Sequence, residues 1–174
     1  KLAPDSILLP ADFEAYREYS ARFKQAVANL APVIQNVGID EIYIDLTEHG
    51  EDAPAFAAKL KAAVLDATGL SCSIGLAPNK LLAKICSDLE KPDGLTILHP
   101  HDIATRVWPL PAKKINGIGP KATAKLEAMG IVTIGELAQA DLATLRTQFG
   151  DLYTGWLHQA ALGIDDRPVQ TSRE

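Results

Sequence analysis

The chain has 174 residues, 47% of them hydrophobic and 22% charged, with a formal net charge of -5, a composition that excludes disordered and collagen-like chains. Charged residues interrupt every apolar stretch before it reaches the roughly 18 to 20 residues a spanning helix needs, so no membrane association is expected. Lys1-Leu2-Ala3-Pro4-Asp5 carries neither an initiator Met nor a signal-peptide pattern, which reads as a piece of a longer, cytoplasmic protein.

Phe13, Tyr16, Phe23, Val27 and Leu30 recur at three- and four-residue steps or their sums, one face of a helix over about 12–30 capped by Asp12. Val33 to Val37 and Ile42 to Leu46 are β-branched and aromatic runs flanking Gly38, the pattern of a β-hairpin with Asp40 and Glu41 near its bend. Phe56, Leu60, Ala63 and Val64 predict a second helix, Ser71 to Ala77 a strand, Leu81, Leu82, Ile85 and Leu89 a third helix, and Leu95 to Leu98 a last short strand. That alternation predicts an α+β layer with helices on one face of a sheet.

Beyond residue 102 the pattern is wholly helical, with short segments separated by Gly117, Gly119, Gly130, Gly150 and Gly163. Thr133 with Glu136 predicts a capping box, Asp141 caps a helix over Leu142 to Phe149, and Gly150 and Gly163 fall where left-handed C-terminal residues belong. Charge divides the chain in the same place. Residues 1–98 carry nine Lys or Arg against fourteen Asp or Glu, whereas residues 99–174 carry eight of each. Two domains, 1–98 and 99–174, are therefore expected, joined at His99-Pro100-His101-Asp102. Cys72 and Cys86 have neither disulfide-framework nor zinc spacing and read as buried free thiols. His99 and His101 lack a third ligand nearby and read as a solvated linker.

Three segments are candidates for chemistry. Asp40 and Glu41 are adjacent carboxylates between apolar strands, with Asp45 four residues on; they serve one site only if the chain bends there, which Gly38 permits. Two such carboxylates suit a pair of Mg²⁺ ions in phosphate chemistry, although on these residues alone a solvated acidic turn is the plainer reading. Lys80, Lys84 and Asp88 share a helix face and Lys91 stands where that helix must stop before Pro92. This is either an exposed charge ladder or, for the lysine at the helix end, a point charge for a triphosphate. In Ile115-Asn116-Gly117-Ile118-Gly119-Pro120 a Gly-x-Gly turn opens a helix, and Lys113, Lys114, Lys121 and Lys125 lie within 13 residues that contain no acid. Exposed N–H groups at a helix start, with clustered lysines, suit a phosphate backbone better than a merely solvated basic face.

Taken together, these segments resemble a Y-family translesion DNA polymerase of the bacterial DNA polymerase IV type, over nearly the whole chain. Gly38-Ile39-Asp40-Glu41-Ile42-Tyr43-Ile44-Asp45 is similar to the family's Ser-x-Asp-Glu-Ala-Tyr-x-Asp palm hairpin. Ser73-Ile74-Gly75-Leu76-Ala77 through Lys84, then Lys91-Pro92-Asp93-Gly94, resembles its Gly-x-x-x-x-Lys-x-x-Ala-Lys and Lys-Pro-Asn-Gly segment. Residues 109–130 resemble the helix-hairpin-helix of its thumb, and Ala161-Leu162-Gly163-Ile164-Asp165 the thumb's end.

The resemblance implies a partial ferredoxin-like palm followed by a small all-helical thumb, and template-directed transfer of a dNMP to a primer 3′-end. It implies that Asp40 and Glu41 are catalytic Mg²⁺ ligands, that Lys91 holds the dNTP triphosphate, and that Gly117, Ile118 and Gly119 with Lys113, Lys114, Lys121 and Lys125 hold primer-template DNA. The family's first catalytic Asp, its fingers and its little finger have no counterpart in the sequence. The isolated piece is therefore expected not to polymerise, any sliding-clamp contact is expected to lie elsewhere, and uncovered apolar palm surface is expected to favour self-association. A catalytically silent DNA-binding relative is the alternative. Gly38, Ile42 and Asp93 depart from the family's usual Ser, Ala and Asn, and Asp93 adds a negative charge beside the expected triphosphate site.

Overall fold

A computed structural model describes residues 3–171; Lys1, Leu2 and residues 172–174, and with them the reading of the chain's start and the outer limits of the two domains, lie outside the described residues. Helix α1 (Phe13–Ala28) starts at Asp12, whose carboxylate accepts from the Ala15 N–H at 3.0 Å, satisfying one of the donors a helix leaves free. Its second half buries Val27 and packs Phe23 against α2 (Ala53–Thr68), which supplies Leu60 and Val64, and Leu30, just past the end of α1, joins the same cluster. Phe13 and Tyr16 differ from their expected place on that buried face. They are 62% and 51% exposed and rest edge-on against each other, outside the cluster that takes Phe23 and Val27 from α1.

Strands β1 (Ile34–Asn36) and β2 (Ile42–Ile44) form the expected antiparallel hairpin, pairing Ile34 with Ile44 and Gln35 with Tyr43. Strands β3 (Ile74–Leu76) and β4 (Leu95–Ile97) pair in parallel on either side of α3 (Lys80–Leu89), as a strand-helix-strand crossover requires. The four strands make two pairs that are not hydrogen-bonded to each other. Each is shorter than its apolar run, since β3 covers only three of the residues from Ser71 to Ala77.

The second half folds into α4 (Pro120–Ala128), α5 (Ile134–Ala138), α6 (Leu142–Phe149) and α7 (Asp151–Ala161), entered through a π-helical turn at Ile103–Val107. The Thr133–Glu136 capping box and the Asp141 cap form as expected. Gly163 has the expected positive φ, but Gly150 does not take the left-handed helical conformation. Its φ of 75° comes with a ψ of 168°, because one residue must both end α6 and begin α7.

Two clusters hold the fold. The smaller joins α1, α2 and the hairpin. The larger contains Leu81, Leu82, Ile85 and Cys86 from α3 together with Ile115, Leu126, Ile134, Leu137, Leu145 and Leu157 from the helical half. Helix α3 therefore shares its core with the segment that follows it rather than with the hairpin layer that precedes it. Cys86 is buried there as expected and burial pushes its thiol up to about 11, whereas Cys72 is only partly buried. His99 and His101 are exposed and stack on each other.

Helix α3 meets β3 backbone to backbone at Gly75, where an added Cβ would lie 2.1 Å from the Ala83 carbonyl oxygen and 2.5 Å from the Ser87 nitrogen. Gly75→Ala is therefore expected to lower stability by about 1–3 kcal/mol in urea unfolding followed by circular dichroism. Gly119→Ala, where an added Cβ meets nothing within 4 Å and φ is -80°, is expected to stay within about 0.5 kcal/mol of wild type.

Candidate active site and nucleic-acid interface

The hairpin bend is built by α1. Lys24 Nζ donates to the Gly38 carbonyl at 2.6 Å and the Ser20 hydroxyl donates to that of Ile39, while Val37 and Gly38 donate their N–H groups to the Glu41 carbonyl. The bend is thereby fixed at the point where the two carboxylates emerge. Asp40 is exposed and Glu41 half-buried. Asp45 is not part of that pair: its carboxylate accepts from both the N–H and the hydroxyl of Thr47, at 2.9 and 2.6 Å, and the Thr47 hydroxyl first, then the N–H, holds it below the usual carboxylate range.

Glu41 is paired with Lys84 of α3. Lys84 also lies 3.8 Å from Asp88, and Asp88 is 2.6 Å from Lys91 Nζ. The structure thus strings Glu41, Lys84, Asp88 and Lys91 into one alternating chain of charges. The helix face expected as a possible ladder keeps its partly exposed Lys84–Asp88 pair, but its first turn is turned inward. Lys80 is 9% exposed, donates to Gln35 Oε1 at 3.0 Å and to the Pro168 carbonyl at 2.9 Å, and lies over the Tyr43 ring. Burial opposes the charge on Lys84, but the Glu41 hydrogen bond and the nearby Asp88 outweigh it, so its pKa rises and the ammonium is secure.

Asp93 brings less negative charge to this region than its sequence position suggests. Its carboxylate accepts from Lys61 Nζ at 2.6 Å, and the same ammonium bonds the Asp93 carbonyl at 2.9 Å and that of Cys72. Asp93 adopts a left-handed φ of 59°, a conformation Asp shares with Asn.

The N-terminus of α3 is tied from the far end of the chain. Asn79 caps it through the Leu82 N–H and donates its side-chain amide to the Gly163 carbonyl at 2.8 Å. The buried Asp165 carboxylate accepts from the Leu81 N–H at 3.1 Å and from Arg167 at 2.6 and 2.8 Å. The Arg167 hydrogen bond is the main cause of its lowered pKa. Sequence reading passed over Asn79 and Asp165 as anchors; an Asn immediately before an apolar helix was the available signal for the first, and none marked the second.

In the helical half, Ile118 turns inward. Its side chain is 6% exposed and its N–H donates to the Ile115 carbonyl at 3.0 Å, so it anchors the Gly-x-Gly turn. The N–H groups of Gly117, Gly119, Lys121 and Ala122 carry no backbone hydrogen bond among the described residues, Pro120 at the start of α4 has none to offer, and Gly119 is the N-cap of that helix. Lys113, Lys114 and Lys121 are exposed around the turn, and Lys125 donates to the Gln148 carbonyl at 3.1 Å.

Known proteins resolve what this arrangement is. The family model described as the impB/mucB/samB family matches residues 1–88, and that of the DNA polymerase-iota thumb domain matches residues 113–165. The chain belongs to the Y family of DNA polymerases. A relative from Nitrosopumilus maritimus, DNA polymerase IV, is 38% identical over 170 residues, 95% of this chain and 47% of the relative. Among solved structures, DinB from Sulfolobus solfataricus superposes with a TM-score of 0.87 at 28% identity, covering 97% of this chain and 51% of that one. An insertion ternary complex of Dbh DNA polymerase gives 0.86 at 28%, covering 97% and 50%. The chain thus spans about half the length of the Y-family proteins it matches. Its α+β layer and helical half have the fold of the family's palm and thumb. Among the described residues, no helix is long and apolar enough to cross a membrane.

The hydrogen bond from Lys91 holds the Asp88 carboxyl below its ordinary range, against burial and with help from Lys84. A depressed carboxylate pKa gives stability that is present above the unfolded value, about 3.9, and lost as pH falls through the folded value. Asp88→Asn is therefore expected to cost less than about 1 kcal/mol at pH 7, given its partial exposure. In urea titrations across pH, that difference from wild type should shrink below pH about 4.

Proposed function

We propose that this chain is the C-terminal part of the palm (residues 1–98) and the thumb (residues 99–174) of a DNA-directed DNA polymerase of the translesion class. The observation that carries this reading is the ion-pair chain from Glu41 through Lys84 and Asp88 to Lys91. It links Glu41 of the carboxylate pair to Lys91, the proposed triphosphate lysine, inside a family-matched fold.

Asp40 and Glu41 are the residues that would hold divalent metal. Their donors are hard oxygens, suited to Mg²⁺, which is commonly held by one or two carboxylates completed by substrate phosphates and water. Among the described residues no group of three His, Cys, Asp or Glu is placed to hold a metal, so this chain contributes part of a coordination sphere and not a closed cage. When bound, such ions supply the Lewis acidity that favours attack of the primer 3′-hydroxyl on the dNTP α-phosphorus and departure of pyrophosphate.

The remaining work falls to side chains of the chain itself. Lys84 holds the Glu41 side chain in place while no stronger cation is present. Lys91 exchanges Asp88 for a triphosphate oxygen; the pair it leaves is a surface one worth less than about 1 kcal/mol, so the exchange is cheap beside the charge a triphosphate offers. Gly117, Gly119, Lys121 and Ala122 offer free N–H groups to a DNA phosphate, with Lys113, Lys114, Lys121 and Lys125 adding charge without reading sequence.

Primer extension with Mg²⁺ by the longer protein that carries this chain tests the reading. Asp40→Asn and Glu41→Gln are each expected to lower extension at least about 100-fold, equivalent to roughly 2.7 kcal/mol of transition-state stabilisation. Extension untouched by both changes would refute the metal assignment. A wild-type protein that binds primer-template DNA but never extends it would make the chain part of a silent DNA-binding subunit. The isolated 174 residues are expected to bind duplex DNA weakly, with affinity that falls as salt rises, and not to extend a primer.

A further inference from the structure

The thumb turn is gripped from behind by a row of aromatic side chains that its DNA-binding residues do not include. Gly117 has a φ of +112°, and the space its missing Cβ leaves is filled by the Trp156 ring, whose Cη2 would lie 2.7 Å from such a Cβ. The Tyr153 hydroxyl donates to the Gly117 carbonyl at 2.9 Å. Tyr153 stacks on Trp156 with centroids 5.3 Å apart and planes 20° from parallel, and Phe149 lies 5.7 Å from Tyr153 on the other side. At that far end Lys125 Nζ lies 5.5 Å from the Phe149 centroid while donating to the neighbouring Gln148 carbonyl.

We propose that Phe149, Tyr153 and Trp156 are positioning residues for duplex DNA, holding the Gly117–Gly119 turn at one end of the row and Lys125 at the other in the geometry that receives a backbone phosphate. This inference rests on the DNA-binding role of the thumb set out above. The physical reason lies in the Gly117 peptide. A carbonyl oxygen facing a phosphate repels it, and Tyr153 draws that oxygen toward α7. The Ile118 N–H of the same peptide is spent on Ile115, so the peptide is fixed from both sides. The adjacent Gly119 amide, at the N-cap of α4, carries no backbone hydrogen bond among the described residues and is left free for an anion. Burial raises the Tyr153 pKa, so its hydroxyl keeps its proton and remains a donor at neutral pH.

The test is fluorescence anisotropy of a labelled blunt duplex titrated with the chain over a series of NaCl concentrations, with melting followed by circular dichroism. Removing Lys113, Lys114, Lys121 and Lys125 together is expected to weaken binding and flatten its salt dependence. Tyr153→Phe, which deletes one hydroxyl and keeps the stack, is expected to weaken binding about three- to tenfold while leaving the salt slope unchanged, because the number of phosphates neutralised is the same. Phe149→Leu is expected to weaken binding through Lys125 and decides the matter if Tyr153→Phe does not fold. If the lysine changes weaken binding but Tyr153→Phe and Phe149→Leu only lower the melting temperature, the row is structural and the proposal is overturned. If the lysine changes have no effect, the DNA-binding reading itself fails and the proposal falls with it.

Discussion

Helix α3 is packed against β3 with no side chain between them at Gly75, and most of the molecule is arranged around that contact. One face of the helix puts Leu82, Ile85 and Cys86 into the core it shares with the thumb. The polar edge carries Lys80 to Gln35 and Lys84 to Glu41, both in the hairpin region. The helix end places Asp88 against Lys91. Glu41, Lys91 and the helical half are thus referred to a single rigid element, even though they come from distant parts of the chain. The ties from Gly163, Asp165 and Pro168 to Asn79, Leu81 and Lys80 close the arrangement from the other side.

The charges follow from the same geometry. An Asp-Glu pair at a bend has to be balanced by a cation, and here the balance for Glu41 is internal, with Lys84 in contact. Asp40 has no ion pair among those of the described residues and is exposed, so it remains open to a hard cation from solution. Asp93, an added negative charge by its place in the sequence, is paired with Lys61. The net charge of -5 is therefore concentrated in the first 98 residues, which hold the Asp-Glu pair, and is absent from the basic turn of the helical half.

Much of this was legible in the residues because it depends on local rules. The hairpin follows from two β-branched runs with Gly38 between them, and the caps of α5 and α6 from Thr133, Glu136 and Asp141, each acting within three residues. What stayed hidden depends on distant partners. Four-residue spacing put Lys80, Lys84 and Asp88 on one face, but only tertiary packing brings its two lysines to Gln35 and Glu41. Phe13 and Tyr16 carry the right period for a buried stripe, yet nothing in the period says which residues of α1 the cluster takes. The separation into two cores is likewise invisible to charge or composition, since Leu81, Leu82 and Ile85 would fit either. Ile118 was legible as part of a turn, but not as the residue whose N–H is already spent.

Native-state hydrogen exchange across the chain tests most directly whether α3 is the element on which palm and thumb both depend. Amides of α3 from Ala83 to Ser87 are expected to open together with those of α5 and α7, with a common free energy higher than that of α1. Exchange of the α3 amides in step with α1 and α2, and faster than the thumb helices, would contradict that claim and return α3 to the hairpin layer.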